Sequence, residues 1–403
     1  MGAEVGRGAE AGRGAARATR RSLSAIMRGR DEFCRTTNPS KSNGNALSAA
    51  IFPTRCFIQS RTLARGFLFP PLFVAARRRT IIGMDLLTPS LPLIRALQLY
   101  GWLAGPMKIL SVLGSEPFFL LLLPLIYWNI NRQLGARLGV LLLFSVALND
   151  VIKIAFALPR PFWTPGVAQL APSPETTFGF PSGHAQSTAA LWTFLALQSR
   201  RRIWMFWAFV LLVLVSLSRL FLGAHYPLDV VGGAGFGYAL LWIFMRLEKP
   251  VAAWLKARGL AAQIGAALAV CAVLGLLYAA AVARLVPLPL GSPGYQTWVL
   301  SAAGLSFAAR VGALFGLLCG LALARRHALF ENEASLGLKN LRFVVGIIVL
   351  AALRFGVGHL LPASLLASFG VYCALTFWVT LGAPWLFVRW GWMRAAYGLA
   401  VEG

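Results

Sequence analysis

Acidic residues are scarce. The 403 residues hold 13 Asp and Glu against 38 Lys and Arg. Around the stretches that carry chemistry the carboxylates are too few to cage Mg²⁺, so no metal and no other cofactor is expected. The five cysteines form no Cys-x-x-Cys pair and no His/Cys metal spacing. Cys34 and Cys56 lie near the N-terminus; Cys271, Cys319 and Cys373 fall inside apolar runs, where a thiol is a small buried hydrophobe. Charge is thin altogether: 13% of residues, against about 25% in a soluble domain. With 58% hydrophobic residues, a soluble globule is excluded. A net charge of +25 is compatible with nucleic acid, yet the arginines cluster at the ends of apolar runs instead of forming a solvated face. They read as topology charges, and no nucleic-acid partner is expected.

What remains is a polytopic all-α membrane bundle. Residues 1–83 carry 15 basic and 4 acidic side chains without lasting periodicity. They read as a disordered or targeting leader, or as sequence upstream of a start at Met84. Residues 84–115 read as an interfacial or re-entrant segment. Spans are expected at 116–130, 135–157, 182–198, 203–222, 229–247, 260–284, 296–324, 342–361 and 366–388. These divide into a core, 116–247, of about five to six spans, and a C-terminal membrane group, 248–403, of about four with no recognised motif. Arg132, Arg137, Arg200–Arg202, Arg246, Lys249, Lys256, Arg258, Arg325, Arg326, Lys339, Arg342, Arg389 and Arg394 all fall on one side, which the positive-inside rule makes cytoplasmic. Arg310, Arg354 and His359 lie within spans, where charge is costly. Neither arginine has an acidic residue in its own span, so its partner must come from elsewhere.

Three stretches at the opposite side hold the chemistry. In the first, Ser218 to Asp229, Gly223 and Pro227 make a turn around His225. If the backbone is already helical at His225, the i,i+4 spacing sets Asp229 beside the imidazole, holding one ring nitrogen and leaving the other as base or nucleophile. Arg219 can bring its planar fork to an anion. The second stretch is Pro181-Ser182-Gly183-His184, at a helix start where free N–H groups favour an anion. In the third, Lys153 ends a helix that Pro159 cannot continue, and Arg160 arrives on the loop beyond. Asp150 has the spacing to pair with Lys153, while Asn149 and Gln186 read as helix-packing polars. Alone, each stretch has a bland reading as N-cap, snorkelling pair or surface hydrogen bond. Together on one face they assemble three cations and two histidines. That is a set for phosphate-ester cleavage, with the choice of attacking histidine left open and the Asp229 spacing favouring His225.

Lys-x6-Arg-Pro, Pro-Ser-Gly-His and Ser-Arg-x5-His-x3-Asp, in this order, resemble the three-part signature of the type 2 phosphatidic acid phosphatase superfamily. All eleven specified positions match, and the resemblance covers roughly residues 115–247. It implies that His225 attacks phosphorus to form a phosphohistidine, oriented by Asp229. It implies that His184 protonates the leaving alkoxide, and that Lys153, Arg160, Ser182, Gly183 and Arg219 hold the phosphoryl oxygens. The expected protein is a metal-independent lipid-phosphate phosphatase of a bacterial inner membrane with an extracytoplasmic site. Its partners are a lipid phosphate and membrane lipids, and the span arrangement is somewhat like that of sphingoid-base phosphate phosphatases. A phosphotransferase and a non-catalytic lipid binder or transporter are the alternatives. The loop 158–180, with Phe162, Trp163, Pro165 and Phe178, is expected to form an aromatic lid.

Overall fold

Leu91 opens the first regular helix of a computed structural model that describes residues 87–172, 175–199, 201–285, 293–327 and 330–396. The leader, Met84, Cys34, Cys56, Arg200 and the His359 side chain lie outside the described residues. Among the described residues the regular structure is helical, as the composition requires. Among the described residues seven helices are long and apolar enough to cross a membrane: Arg132–Trp163, Arg202–Phe221, Pro227–Lys256, Leu260–Ala283, Leu300–Arg326, Leu336–Val357 and Leu365–Arg389. The chain is an integral membrane protein.

The segment before the first expected span is made of short helices. Helix α1 (Leu91–Gln98) packs against Phe162, Val167 and Tyr226, with Leu91 and Ile94 buried. Gly101–Val112, which contains α2 (Ala104–Val112), and Glu116–Ile130, which contains α3 (Glu116–Leu125), are long enough to span only as a pair bent by 44°. Ser115 makes the break: its backbone is extended and its side chain caps α3. Helix α4 (Arg132–Phe156) ends where Ala157 turns left-handed at φ 50. The expected span 182–198 consists of α5 (Gly183–Ser187), a π-turn Thr188–Trp192 and α6 (Thr193–Gln198), and falls short of the seven.

Helix α7 (Arg202–Phe221) leads through the His225 turn into α8 (Pro227–Lys256). A Cβ on Gly233 or Gly237 would lie 2.4 Å from the carbonyl oxygen of Ser182 or Gln186, so α8 meets α5 backbone to backbone. The later helices, α9 (Leu260–Ala283), α10 (Pro293–His327), α11 (Leu336–Ala351), α12 (Leu365–Phe377) and α13 (Ala383–Arg389), complete the bundle. Helices α9 and α10 pack on α4, and one apolar core runs from Phe119, Leu142 and Phe194 to Leu274, Phe307 and Leu314.

At one end of the bundle the basic residues tie helix ends together. Arg137 grips Glu248 with a two-pronged contact at 2.6 and 2.7 Å, and Arg132 donates to the Phe330 carbonyl at 2.8 Å. The three motif stretches gather at the other end.

Candidate active site

The loop from Leu158 to Phe180 is wedged in place. Phe162 and Val167 pack with Tyr226 and with Leu87, Leu91 and Ile94 of the α1 region. Arg95 donates to the Pro165 carbonyl at 2.8 Å, and Gln98 exchanges hydrogen bonds with the Ala168 backbone at 2.8 and 3.0 Å. On the other flank, Trp163 and Phe178 join Tyr278 and Leu300 from α9 and α10. Gly223, at φ +68, lets the next turn come so close that a Cβ there would lie 2.4 Å from the Ala168 carbonyl oxygen.

This wedge presses Arg160 into the interior, fully buried. Its guanidinium donates to the Thr177 carbonyl at 2.5 Å and to the Ala224 carbonyl at 3.0 Å, and pairs with Glu175 at 3.0 Å. Lys153, reaching from α4, donates to the Phe178 carbonyl at 3.0 Å and the Thr177 hydroxyl at 3.4 Å. Arg219 donates to Ser111 at 2.7 Å, pairs with the other oxygen of Glu175, and keeps a buried Nε without a hydrogen-bond partner among the described residues. One carboxylate thus bridges two of the three cations. Burial alone raises the Glu175 carboxyl, but Arg160, Arg219, His184 and Lys153 outweigh it and hold the group well below the usual range.

His225 is 1% exposed, although its place in a turn suggested a position outside the core. Its Nε2 lies 3.3 Å from Arg160 Nη1 and its Nδ1 lies 3.3 Å from Asp229 Oδ2. A guanidinium only donates, so Nε2 faces it as the acceptor and the proton sits on Nδ1, donated to Asp229. Burial first, then the charges of Arg160, Lys153 and Arg219, push the imidazole well below the ordinary histidine range, so it is neutral at physiological pH. The contact with Asp229 arises differently from expectation. Position 225 is not helical; α8 starts at Pro227, and Asp229 folds back over the first turn to accept the Tyr226 N–H at 2.8 Å.

Ser182 is buried, caps α5, and donates its backbone N–H to the Asp229 carbonyl at 2.8 Å. Gly183 follows, where a Cβ would lie 3.2 Å from Asn149 Oδ1. His184 is half-buried, within electrostatic reach of Arg219, Glu175, Lys153 and Arg160. Asn149 and Gln186 do more than pack: they bond each other at 2.8 Å, Asn149 reaches the Pro181 carbonyl, and Gln186 holds the Ser145 carbonyl at 2.9 Å. They fasten the Pro-Ser-Gly-His loop to α4.

All eight expected residues therefore gather in one largely buried cluster. Sequence reasoning missed Glu175, Thr177 and Ser111; the first was visible only as a lone acid between motif cations. It also offered Asp150 as a partner for Lys153. The structure gives Asp150 to Arg310 instead, at 2.6 Å from both oxygens.

The bundle thus gathers cations, histidines and a carboxylate at one end. The family profiles agree. That of the PAP2 superfamily matches residues 134–253, and that of the PAP2 superfamily phosphatase, transmembrane extension, matches residues 308–395. A probable sphingosine-1-phosphate phosphatase of Dictyostelium discoideum is 32% identical over 143 residues, 31% of this chain and 34% of that protein. An undecaprenyl-diphosphatase of Sulfolobus acidocaldarius is 30% identical over 147 residues, 36% of this chain and 71% of that protein. The chain belongs to the PAP2 superfamily. Its match spans about a third of the sphingosine-1-phosphate phosphatase, 34%. The crystal structure of a transmembrane PAP2 type phosphatidylglycerolphosphate phosphatase from Bacillus subtilis is 25% identical, covering 45% of this chain and 95% of that chain, with a TM-score of 0.36.

Proposed function

We propose that the chain is a metal-independent lipid-phosphate phosphatase working through a phosphohistidine. The observation that carries this reading is the setting of His225, whose Nδ1 lies 3.3 Å from Asp229 and whose Nε2 lies 3.3 Å from Arg160. That nitrogen attacks phosphorus, forming the P–N bond as the P–O bond to the lipid alkoxide breaks. Burial and Arg219 hold free His184 neutral, so it takes up a proton from solvent as the phosphate dianion enters and offsets those cations. It gives that proton to the alkoxide, then takes one from the water that opens the phosphohistidine and releases inorganic phosphate. Lys153, Arg160 and Arg219 neutralise the three equatorial oxygens, with Gly183 supplying a backbone N–H and Ser182 its hydroxyl. The Glu175 carboxylate, bridging Arg160 and Arg219, marks where an anion sits.

The names of the relatives favour a sphingoid-base phosphate first and a prenyl diphosphate second. Of the features that would suit a non-catalytic lipid binder or transporter, the C-terminal spans with Arg310 and Arg354, Arg310 finds its partners within the chain. Purified protein in detergent is expected to release inorganic phosphate from a sphingoid-base phosphate, with the rate unchanged by EDTA. Phosphatidate, phosphatidylglycerol phosphate and a prenyl diphosphate complete the panel. Absence of release from all four, or loss of release on chelation, would refute this reading, and transfer of the phosphoryl group to an added alcohol in place of water would make it a phosphotransferase.

We also place the cradle on the non-cytoplasmic face, because the basic clusters gather at the other end. The proteins compared above come from Dictyostelium discoideum, Sulfolobus acidocaldarius and Bacillus subtilis, so they speak for a membrane rather than for a bacterial one in particular. In a background with Cys34 and Cys56 replaced by serine, Gln169→Cys is expected to react with a membrane-impermeant thiol reagent in intact cells or sealed vesicles of native orientation. Arg201→Cys should react only after permeabilisation; both positions are exposed. The reverse pattern inverts the topology.

A further inference from the structure

Three charged residues that meet between helices take no part in the proposed chemistry: buried Asp150 and the half-buried Glu116 and Arg310. Arg310 belongs to α10, in the region matched by the transmembrane extension profile, whereas Asp150 belongs to α4 in the superfamily core. Arg310 Nη1 lies 2.6 Å from both oxygens of Asp150, and Nη2 and Nε lie 2.8 and 3.0 Å from Glu116 Oε2. The Asp150 side chain is 5% exposed, so its charge has little water to lean on.

Asp150 stands three residues before Lys153 on one helix, the spacing at which side chains meet. In a poorly screened interior a free carboxylate there would capture the Lys153 ammonium and withdraw it from an incoming anion. Lys153 instead turns toward the Phe178 carbonyl and the Thr177 hydroxyl, on the loop that also carries Glu175. A guanidinium suits the intervening task because its planar fork engages two carboxylates at once and stays charged.

We propose that Arg310 is a positioning residue: by occupying both oxygens of Asp150 it keeps Lys153 free for the phosphoryl oxygens and makes the cradle depend on the C-terminal extension. This rests on the reading of Lys153 as a phosphate ligand. It assigns a role to helices that carry no chemistry of their own, and it goes beyond structural pairing because it concerns which partner Asp150 takes.

The test is orthovanadate binding by calorimetry on the full chain in detergent, beside its melting midpoint and the KM and kcat of phosphate release. Arg310→Met is expected to weaken vanadate binding about tenfold or more and to raise KM more than it lowers kcat. Asp150→Asn together with Arg310→Met is expected to restore binding to within about threefold of wild type, because Asp150 no longer draws Lys153 away. A folded Arg310→Met that binds vanadate like wild type would overturn the proposal. So would a double variant that regains its melting midpoint without regaining vanadate binding. If Arg310→Met does not fold, Asp150→Asn is compared with the double variant: equal affinity supports the proposal and weaker binding by the double variant sinks it. A wild type that binds no vanadate and releases no phosphate sinks the phosphatase reading and this inference with it. The other failures leave wild-type binding intact, so they are told apart from that one.

Discussion

Replacing His225 with alanine is expected to abolish phosphate release, by roughly three orders of magnitude or more. The loss is this large because no other group can supply the covalent step. Nε2 is the unprotonated nitrogen, and the tautomer is fixed from both sides by Arg160 and Asp229. The environment that makes the imidazole neutral also aims it at the cations. Since His225 is buried, the variant leaves a small cavity, and the fold has to be checked. Arg160 retains the Ala224 and Thr177 carbonyls and Asp229 retains the Tyr226 N–H, so the turn keeps its ties. Size-exclusion behaviour should match wild type, and acid-labile ³²P labelling of the protein should vanish. Residual turnover well above that of a His184→Ala, His225→Ala double variant would show that another residue attacks.

Replacing His184 with alanine should act selectively. Its proposed work is to protonate an alkoxide, and general acids of this kind contribute about 10²–10⁴-fold. A sphingoid-base phosphate, with its poor leaving group, should lose that much. An activated aryl phosphate leaves without help and should lose less than about tenfold in its first step. Phosphohistidine then accumulates, because hydrolysis also draws on His184, and a burst of aryl alcohol equal to the enzyme concentration should precede slow turnover. Equal losses on both substrates, without a burst, would remove His184 from the acid role.

Much of this site was legible because membrane proteins waste little charge. In a chain this apolar, a lysine, two arginines and two histidines at the ends of successive runs have few bland explanations, and their spacing carried the resemblance. What stayed hidden was long-range. Asp150 faces Lys153 by helical period, and local spacing cannot announce that Arg310, 160 residues on, takes both of its oxygens. Glu175 lies in a loop without periodicity, so only its scarcity marked it. The Asp229 contact was anticipated for a partly mistaken reason: the carboxylate reaches His225 by folding back over a helix start, not along a helix already formed. The C-terminal helices were legible as spans and illegible as a family extension, since apolar side chains in lipid record no partner.

The flush seating of α8 against α5 has a mechanical consequence. Gly233 and Gly237 leave no side chain between the two backbones, and the Ser182 N–H is tied to the Asp229 carbonyl. Where side chains fill a gap, alternative rotamers let it breathe; where backbone meets backbone, the gap is a fixed gauge. The distance from the His225 turn to the Pro-Ser-Gly-His loop is therefore set once for any substrate. Accommodation of different lipid tails falls to the 158–180 wedge and the helices flanking it, so swapping those parts between relatives should retune tail preference without disturbing the gauge at phosphorus.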